Sequence, residues 1–288
     1  MIRGKVYSSQ VREFESMLQK HFQTDLVCTI NNATSGILGT FYALGLINSE
    51  VITTPLTWSG AITPLKILGN TITYAEIEEP YLTLNPKTLE KFINKNTKAV
   101  FTSDFLGYPC RLDIVRDICN KHGLLLIHDS ASSFGTQYKN YYSGKFAHVT
   151  IYSFGRNKPF TTGEGGCLIS NSQKFFNEIG RIIFHPERQD IQIGTQNLFH
   201  INTSMNPLAV EYGIKTFYKQ KKEINNHIVS VKKTIIPDMV KTPIYVEPNY
   251  HKILIYNSTD QKKMNLPFNA LSENIGIDSL SLMKYGVL

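Results

Sequence analysis

The sequence predicts an α/β protein with a mostly parallel central sheet covered by helices on both faces. Short apolar runs alternate with helical stretches along most of the chain. One of those stretches closes at Gly123, and the next apolar run begins at once. This alternation is typical of βα units, in which a helix returns the chain to start a parallel strand.

The individual elements follow from the spacing of their apolar residues. Residues 8–22 predict an amphipathic helix, and residues 35–46 predict a buried one. The runs at 98–105, 124–129 and 149–154 predict buried strands. The inner face of the first helix consists of Val11, Phe14, Met17, Leu18 and Phe22.

A further helix is predicted at 112–123, between two of these strands. Its apolar side chains fall on one face, and Gly123 occupies the C′ position that ends many helices. The face consists of Leu112, Val115, Ile118 and Cys119.

The length of the predicted elements changes near residue 220. Shorter elements follow, including KTPIYVEP and HKILIYN, and then a polar tail. We therefore predict a large domain at 1–220 and a reduced α+β domain at 221–288. No internal repeat or low-complexity tract is visible.

Composition predicts a globular protein with a sizeable core. The 288 residues are 42% hydrophobic and 18% charged. No apolar run reaches the roughly 18–20 residues of a membrane span, and the first ten residues lack a signal-peptide core. We therefore expect a cytoplasmic protein with no membrane partner.

Charge and cysteine content indicate which classes of partner the protein binds and whether it holds a metal. A net charge of +7 suits an anionic partner such as a phosphate-bearing substrate. The densest basic cluster, KQKKE at 219–223, predicts a solvated helix face, and no nucleic-acid motif accompanies it. The four cysteines lack metal-site spacing, so we expect reduced core thiols and no metal.

Polar residues follow two predicted strands at the point where each strand ends. Asp129 closes one strand, and Ser153 and Lys158 follow another. Ligands of open α/β sheets bind at this edge. A pyridoxal 5′-phosphate (PLP) enzyme needs a lysine to hold the aldehyde and a buried carboxylate against the pyridine nitrogen. Lone Asp and Lys residues at strand ends are common, so spacing alone favours a structural role.

A longer motif shifts the balance from a structural role to a catalytic one. The segment TIYSFGRNKPFTTGEGG at 150–166 contains S-F-x-x-x-K and then T-x-G-E-G-G. This order, after a strand that ends in Asp129, resembles the DegT/StrS family of fold-type I PLP enzymes, best known as sugar aminotransferases. The resemblance implies that Lys158 is the Schiff-base lysine, that Asp129 pairs with the ring nitrogen, and that Ser153 contacts the cofactor phosphate.

Two earlier segments carry the same resemblance. NNATSGILGTFYALGL at 31–46 is similar to the family's phosphate-binding loop and helix, with Ala33, Thr34 and Ser35 at the helix start. A helix N-terminus suits a dianion, although Thr34 or Ser35 could equally be a simple N-cap. In TTPLTWSGAITPLKILG at 53–69, Trp58 takes the place of the aromatic residue that stacks on the pyridine ring.

The segment at 104–131 resembles the stretch from H-x-Y-G-x-P to E-D-x-A. His128 replaces the glutamate, a change we expect to be harmless provided that its side chain faces outward. Ser132 stands where relatives have Gln near the phenolic oxygen, and it reaches less far.

The segment at 199–214 resembles G-Y-N-x-R-M-S. Asn202 matches the asparagine that reaches the neighbouring subunit's phosphate, and Ser204 replaces an arginine. The resemblance covers roughly residues 8 to 215, and both ends look abbreviated.

The resemblance implies a homodimeric PLP-dependent aminotransferase that takes an amino donor, with glutamate as the first candidate, and a keto acceptor such as a keto sugar. The same cofactor could instead serve a decarboxylase, a lyase or a carbon–carbon bond-forming enzyme, since the pocket selects the reacting bond. A partner protein that kept the scaffold without turnover is the third reading, which Ser204 and the small tail favour. Retention of Asp129 and Lys158 argues against it.

Overall fold

A computed structural model describes residues 9–79, 81–184, 200–234, 239, 241–252, 254–256 and 285–287. The helices are α1 Ser9–Phe22, α2 Ala33–Ala43, α3 Ser59–Ile67, α4 Leu112–His122, α5 Gln173–Ile183 and α6 Pro207–Lys233. The longer strands are β1 Val27–Ile30, β2 Glu50–Thr53, β3 Thr71–Tyr74, β6 Thr97–Ser103, β7 Leu125–Asp129, β10 Val149–Ser153 and β11 Gly166–Ser170. The shorter strands are β4 Ile77–Glu78, β5 Thr83–Leu84, β8 Gln137–Tyr138, β9 Tyr141–Tyr142, β12 Val246–Glu247, β13 Leu254–Tyr256 and β14 Tyr285–Val287.

The seven longer strands form one sheet in the order β1-β11-β10-β7-β6-β2-β3. The five strands from β10 to β3 pair in parallel, while β11 is antiparallel to both of its neighbours. The predicted mostly parallel sheet is therefore confirmed, with an antiparallel edge that the sequence had not indicated.

Helices cover both faces of this sheet. Neighbouring strand residues point to opposite faces, so Phe101 packs in the cluster that contains α2, α3 and α5, while Val100 packs in the cluster with α4. A third cluster joins α1 and α6 to the end of the sheet that contains β1, β11 and β10. The three predicted helices occur within a few residues of their expected bounds, and Gly123 ends α4 at φ +65°.

A buried carboxylate shows how the outer helix α1 is attached to the sheet. Glu15 on α1 is fully buried, and its Oε1 accepts hydrogen bonds from the backbone N (2.8 Å) and Oγ1 (3.1 Å) of Thr29 on β1. The four cysteines are buried free thiols, as predicted. Within the described residues, no helix is both long and apolar enough to cross a membrane.

The predicted domain boundary at residue 220 lies inside α6. Beyond that helix, β12 pairs with β8 of the preceding part of the chain. Much of the predicted 221–288 domain lies outside the described residues, so this division stays a prediction.

Candidate active site

A cavity of about 530 Å³ opens at the carboxyl edge of the parallel strands. The strand ends of β6, β7 and β10 contribute to its wall, together with the start of α2 and the loop before α3. Seven of the nine predicted site residues line it: Ala33, Thr34, Trp58, Asp129, Ser132, Ser153 and Lys158. Residues up to 125 positions apart in sequence thus meet at the edge where α/β proteins bind ligands.

The start of α2 faces this cavity through Ala33 and Thr34. Asn32 is the N-cap, and its Oδ1 accepts hydrogen bonds from Ser35 N at 2.9 Å and Ser35 Oγ at 3.0 Å. The alternative that Thr34 or Ser35 caps the helix is therefore wrong. Because the first backbone N–H groups of a helix lack intrahelical partners, this end of α2 can hold an anion.

Trp58 borders the cavity next to that helix end. The residue is 58% exposed, which is unusual for a tryptophan in a packed domain. A Cβ atom built on Gly60 would lie 2.9 Å from Trp58 Cδ1 and 3.2 Å from Thr34 Oγ1. The glycine thus lets the indole approach the start of α2, where it offers a flat apolar surface to a planar ring.

Asp129 ends β7 and is 7% exposed. Its Oδ1 accepts a hydrogen bond from Ala131 N at 2.9 Å. Burial raises the pKa of this carboxyl group, and the Ala131 N–H and the charge of Lys158 offset only part of that effect. A cationic group in the cavity would therefore gain a strong interaction with it.

Lys158 lies in a loop that is fixed at both ends by buried aromatic rings. Phe154 and Phe160 precede and follow the loop, both fully buried, with ring centroids 5.0 Å apart. The Phe160 ring also stacks on Phe134 at 4.6 Å. At the beginning of the loop, Ser153 Oγ accepts a 3.3 Å hydrogen bond from Gly155 N. The lysine is thus attached to a rigid base, which suits a group that must meet a reacting atom.

The T-x-G-E-G-G segment returns the chain from this loop into β11. Gly165 has φ +143°, and a Cβ atom there would lie 2.6 Å from Met205 Cε. A Cβ atom on Gly166 would lie 2.4 Å from the Tyr152 carbonyl oxygen. These two glycines are required by backbone conformation and by close strand packing, respectively.

Comparison with known proteins assigns this arrangement to a family. Residues 4–229 match the DegT/DnrJ/EryC1/StrS aminotransferase family. The chain belongs to this family. GDP-perosamine synthase of Vibrio cholerae is 33% identical over 181 residues, which are 62% of this chain and 48% of that protein. A UDP-4-amino-4,6-dideoxy-N-acetyl-beta-L-altrosamine transaminase of Helicobacter pylori is 28% identical over 73% of this chain and 58% of its own length. The chain spans about half the length of the first curated relatives it matches.

Solved structures show the same fold. Helicobacter pylori PseC, an aminotransferase involved in the biosynthesis of pseudoaminic acid, superimposes with a TM-score of 0.72 at 24% identity, covering 88% of this chain and 71% of that one. A DegT/DnrJ/EryC1/StrS aminotransferase from Brucella abortus gives a TM-score of 0.77 at 18% identity, covering 90% and 72%. The fold is therefore fold-type I.

Against the DegT-family motifs, one expectation fails. His128 does not face outward, because its side chain is fully buried. Its Nε2 lies 3.0 Å from Oδ1 of Asp104, which also has a fully buried side chain. Asp104 occupies the histidine position of H-x-Y-G-x-P, and His128 occupies the glutamate position of E-D-x-A. The acid and the imidazole have therefore exchanged places between the two strand ends.

Sequence reasoning also missed the contribution of the C-terminal segment. His251 and Lys252 line the cavity together with Lys158. The buried Asn249 fixes them there, since its Nδ2 donates to the carbonyl oxygens of Ser132 at 2.7 Å and Phe134 at 3.1 Å. No motif marks this segment, so only the fold reveals it.

Two predicted site residues do not line the cavity. Ser35 makes the hydrogen bonds to Asn32 described above. Asn202 is exposed, and its Oδ1 accepts a 3.1 Å hydrogen bond from Ser204 N. Phe199, where that motif begins, lies outside the described residues. The role of Asn202 in a neighbouring subunit stays a prediction.

Proposed function

We propose that this protein is a PLP-dependent aminotransferase that transfers an amino group from an amino acid to a keto sugar carried on a nucleotide. The observation that carries the proposal is the meeting of Lys158, Asp129 and the start of α2 around one cavity. A primary amine, a buried carboxylate and an anion-binding helix end are the three groups that PLP requires.

The residues present fit the cofactor. The start of α2, with Thr34, and the Ser153 hydroxyl would hold the phosphate. Asp129 would face the ring nitrogen, Trp58 would cover one face of the ring, and Ser132 would donate toward the phenolic oxygen. Ser35 would act indirectly, by holding the N-cap Asn32 in place.

When bound, PLP supplies the electron sink that allows the α-carbon of an amine to lose a proton. Lys158 would hold the aldehyde carbon until the donor amine takes its place, and the freed lysine amine would then move a proton between the substrate carbon and C4′ of the cofactor. Asp129 would keep the ring nitrogen protonated, since burial disfavours the isolated carboxylate and a cation beside it would stabilise the negative charge.

The substrate class is supported by the relatives and by charge. GDP-perosamine synthase and the altrosamine transaminase are named for nucleotide-linked amino sugars. A net charge of +7 and Lys252 at the cavity wall suit the phosphates of such a substrate. We further propose a homodimer in which Asn202 reaches the partner's cofactor phosphate, and a cytoplasmic location.

The test isolates half of the reaction. Protein saturated with PLP is mixed with glutamate alone, and we expect 2-oxoglutarate to be released in an amount close to that of the protein. Addition of a nucleotide-linked keto sugar should then yield the amino sugar. Lys158→Ala should abolish both steps, whereas Lys222→Ala, which changes an exposed lysine of α6, should alter neither.

Glutamate is one of several amino donors to be tried. If no amine in a broad panel releases a keto acid, while some amine loses carbon dioxide instead, the transaminase proposal is wrong. The carbon-bond alternative then takes its place.

A further inference from the structure

A buried polar cluster lies directly behind the carboxyl ends of β6, β7 and β10. It consists of Thr102, Asp104, His128, Ser130 and Ser143, each at most 6% exposed. Burial of so many polar groups is unfavourable unless they satisfy one another. A buried polar network at this edge of the sheet therefore suggests a specific role for these residues.

His128 is the centre of the cluster. Thr102 Oγ1 lies 2.7 Å from His128 Nδ1, and Asp104 Oδ1 lies 3.0 Å from His128 Nε2. The contact with Asp104 lacks the alignment of a good hydrogen bond, so a protonated imidazole would be held there chiefly by Coulombic attraction.

Asp104 has the surroundings of an ionised carboxylate. Its Oδ1 accepts a 3.0 Å hydrogen bond from Cys110 N, and its Oδ2 accepts a 3.3 Å hydrogen bond from Ser130 Oγ. Burial by itself would raise the pKa of Asp104, but His128, Ser143 and the Cys110 N–H together lower it below its ordinary value.

Three relationships along the backbone place Asp104 and His128 next to Asp129. His128 precedes Asp129 in β7, Ser103 pairs with Asp129 across the sheet, and Asp104 N donates a 3.1 Å hydrogen bond to the Asp129 carbonyl oxygen. The charges act on Asp129 in opposite senses. His128 lowers the pKa of the Asp129 carboxyl group, while Asp104 raises it.

We infer that Asp104 and His128 form an ion pair that positions Asp129 and keeps it ionised opposite the cofactor's ring nitrogen. Asp104 ties the end of β6 to the end of β7, and His128 cancels the negative charge that Asp104 would otherwise present to Asp129. Both are positioning residues, and the inference rests on the proposed PLP function. The exchange of acid and imidazole relative to the family motifs fits this account, because an ion pair works in either orientation.

The experiment measures the dissociation constant of PLP for the protein, with thermal unfolding of the PLP-free form as a second readout. His128→Gln leaves the Asp104 charge uncompensated beside Asp129, so we expect PLP affinity to fall about tenfold or more. Asp104→Asn removes that charge, so we expect a smaller loss of about threefold. The double variant Asp104→His with His128→Glu restores an opposite-charge pair and should return the affinity to within about threefold of wild type.

Glu15→Gln is the matched control, because Glu15 is a fully buried carboxylate that is bonded to Thr29 of β1 and is not among the residues that line the cavity. It should lower the unfolding temperature without changing PLP affinity. Equal losses of PLP affinity in the two single variants, with no recovery in the double variant, would show a packing role only and overturn the inference.

If His128→Gln does not fold, the comparison of Asp104→Asn with the double variant decides the matter in the same way. A wild-type protein that does not bind PLP overturns the proposed function and this inference with it. A wild-type protein that binds PLP, with single variants of unchanged affinity, overturns this inference alone.

Discussion

Gln220 of α6 exchanges two hydrogen bonds with the backbone of Thr161. Its Oε1 accepts from Thr161 N at 2.9 Å, and its Nε2 donates to Thr161 O at 2.8 Å. Thr161 lies three residues after Lys158. The long helix α6 therefore holds the lysine loop from outside, while Phe154 and Phe160 hold it from inside.

Gln220→Met should destabilise the protein and weaken cofactor binding. The substitution keeps the length of the side chain but leaves the Thr161 N–H and carbonyl without these partners, which typically costs about 1–3 kcal/mol. Urea unfolding and a PLP titration measure the two effects. Gln173→Met is the control, because Gln173 makes an exposed helix hydrogen bond to Asn177. Equal effects from both substitutions would contradict the role of Gln220.

Asp129→Asn should leave the fold intact and reduce turnover by a few orders of magnitude. A neutral amide cannot stabilise a protonated ring nitrogen, and loss of a shielded charge partner is worth about 3–5 kcal/mol. Because burial raises the pKa of this carboxyl group, the PLP-free variant should be no less stable than wild type. Steady-state rates and urea unfolding check the two halves. Near-normal activity would rule out the assigned role.

Acid should destabilise the PLP-free protein partly through His21. Burial, and then the charge of Lys221, lower the pKa of His21 from 6.5 to about 3. Between those values the unfolded chain binds a proton that the folded chain does not, so this contribution to stability is lost as pH falls below 6.5. The loss approaches about 1.4 kcal/mol per pH unit.

His21→Phe removes the titrating imidazole and should therefore flatten this dependence. The phenyl ring should keep the stacking on Phe134, whose ring centroid lies 4.5 Å from that of the imidazole. Urea midpoints at pH 7 and pH 5 provide the measurement. His148, with a pKa lowered to about 4 by burial and Arg116, should maintain part of the acid sensitivity in the variant. An unchanged difference between the two midpoints would show that His21 does not contribute.

Asn202 should matter only in a dimer. If its side chain reaches the partner's cofactor phosphate, Asn202→Ala should weaken PLP binding while light scattering still shows two subunits. Asn226→Ala, an exposed substitution on α6, serves as the control. A PLP-saturated monomer at micromolar concentration would refute the predicted dimer, and unaltered PLP affinity in a dimeric Asn202→Ala variant would refute the residue's role.

The sequence predicted the strands and helices around Lys158 because their patterns are local. Apolar runs marked β6, β7 and β10, and Gly123 marked the end of α4. The antiparallel pairing of β11 with β1 was not predicted, since it joins segments about 140 residues apart through short strands. The KQKKE segment shows the same limit. Its lysines at 219 and 222 are exposed as expected, but Gln220 is buried by a partner 59 residues away.

Motif resemblance predicted the residues that line the cavity better than it predicted what supports them. His128 departs from the motif, yet its buried partner Asp104 could be recognised only once β6 and β7 were aligned in parallel. Asn249 fixes the C-terminal segment to backbone atoms that lie more than a hundred residues earlier in the chain. Such long-range contacts leave no periodic trace in the sequence.

Lys252 should determine affinity for the anionic substrate without taking part in the chemistry. Lys252 lines the cavity together with Lys158 and His251. Burial lowers the pKa of His251 to about 4, and the charges of Lys158 and Lys252 add to this effect. The imidazole is therefore neutral near pH 7, and Lys252 is the cation that this segment offers to a substrate phosphate.

We expect Lys252→Gln to raise the KM for a nucleotide-linked keto sugar about tenfold with kcat little changed, since a contact made equally in ground and transition states affects binding alone. The rise should shrink in high salt, because screening weakens the wild-type attraction. Lys222→Gln on α6 removes the same charge at a position that does not line the cavity, and it should leave KM unchanged. Equal KM values for the Lys252 and Lys222 variants, or a fall in kcat as large as the rise in KM, would show that Lys252 does not act as the substrate's phosphate contact.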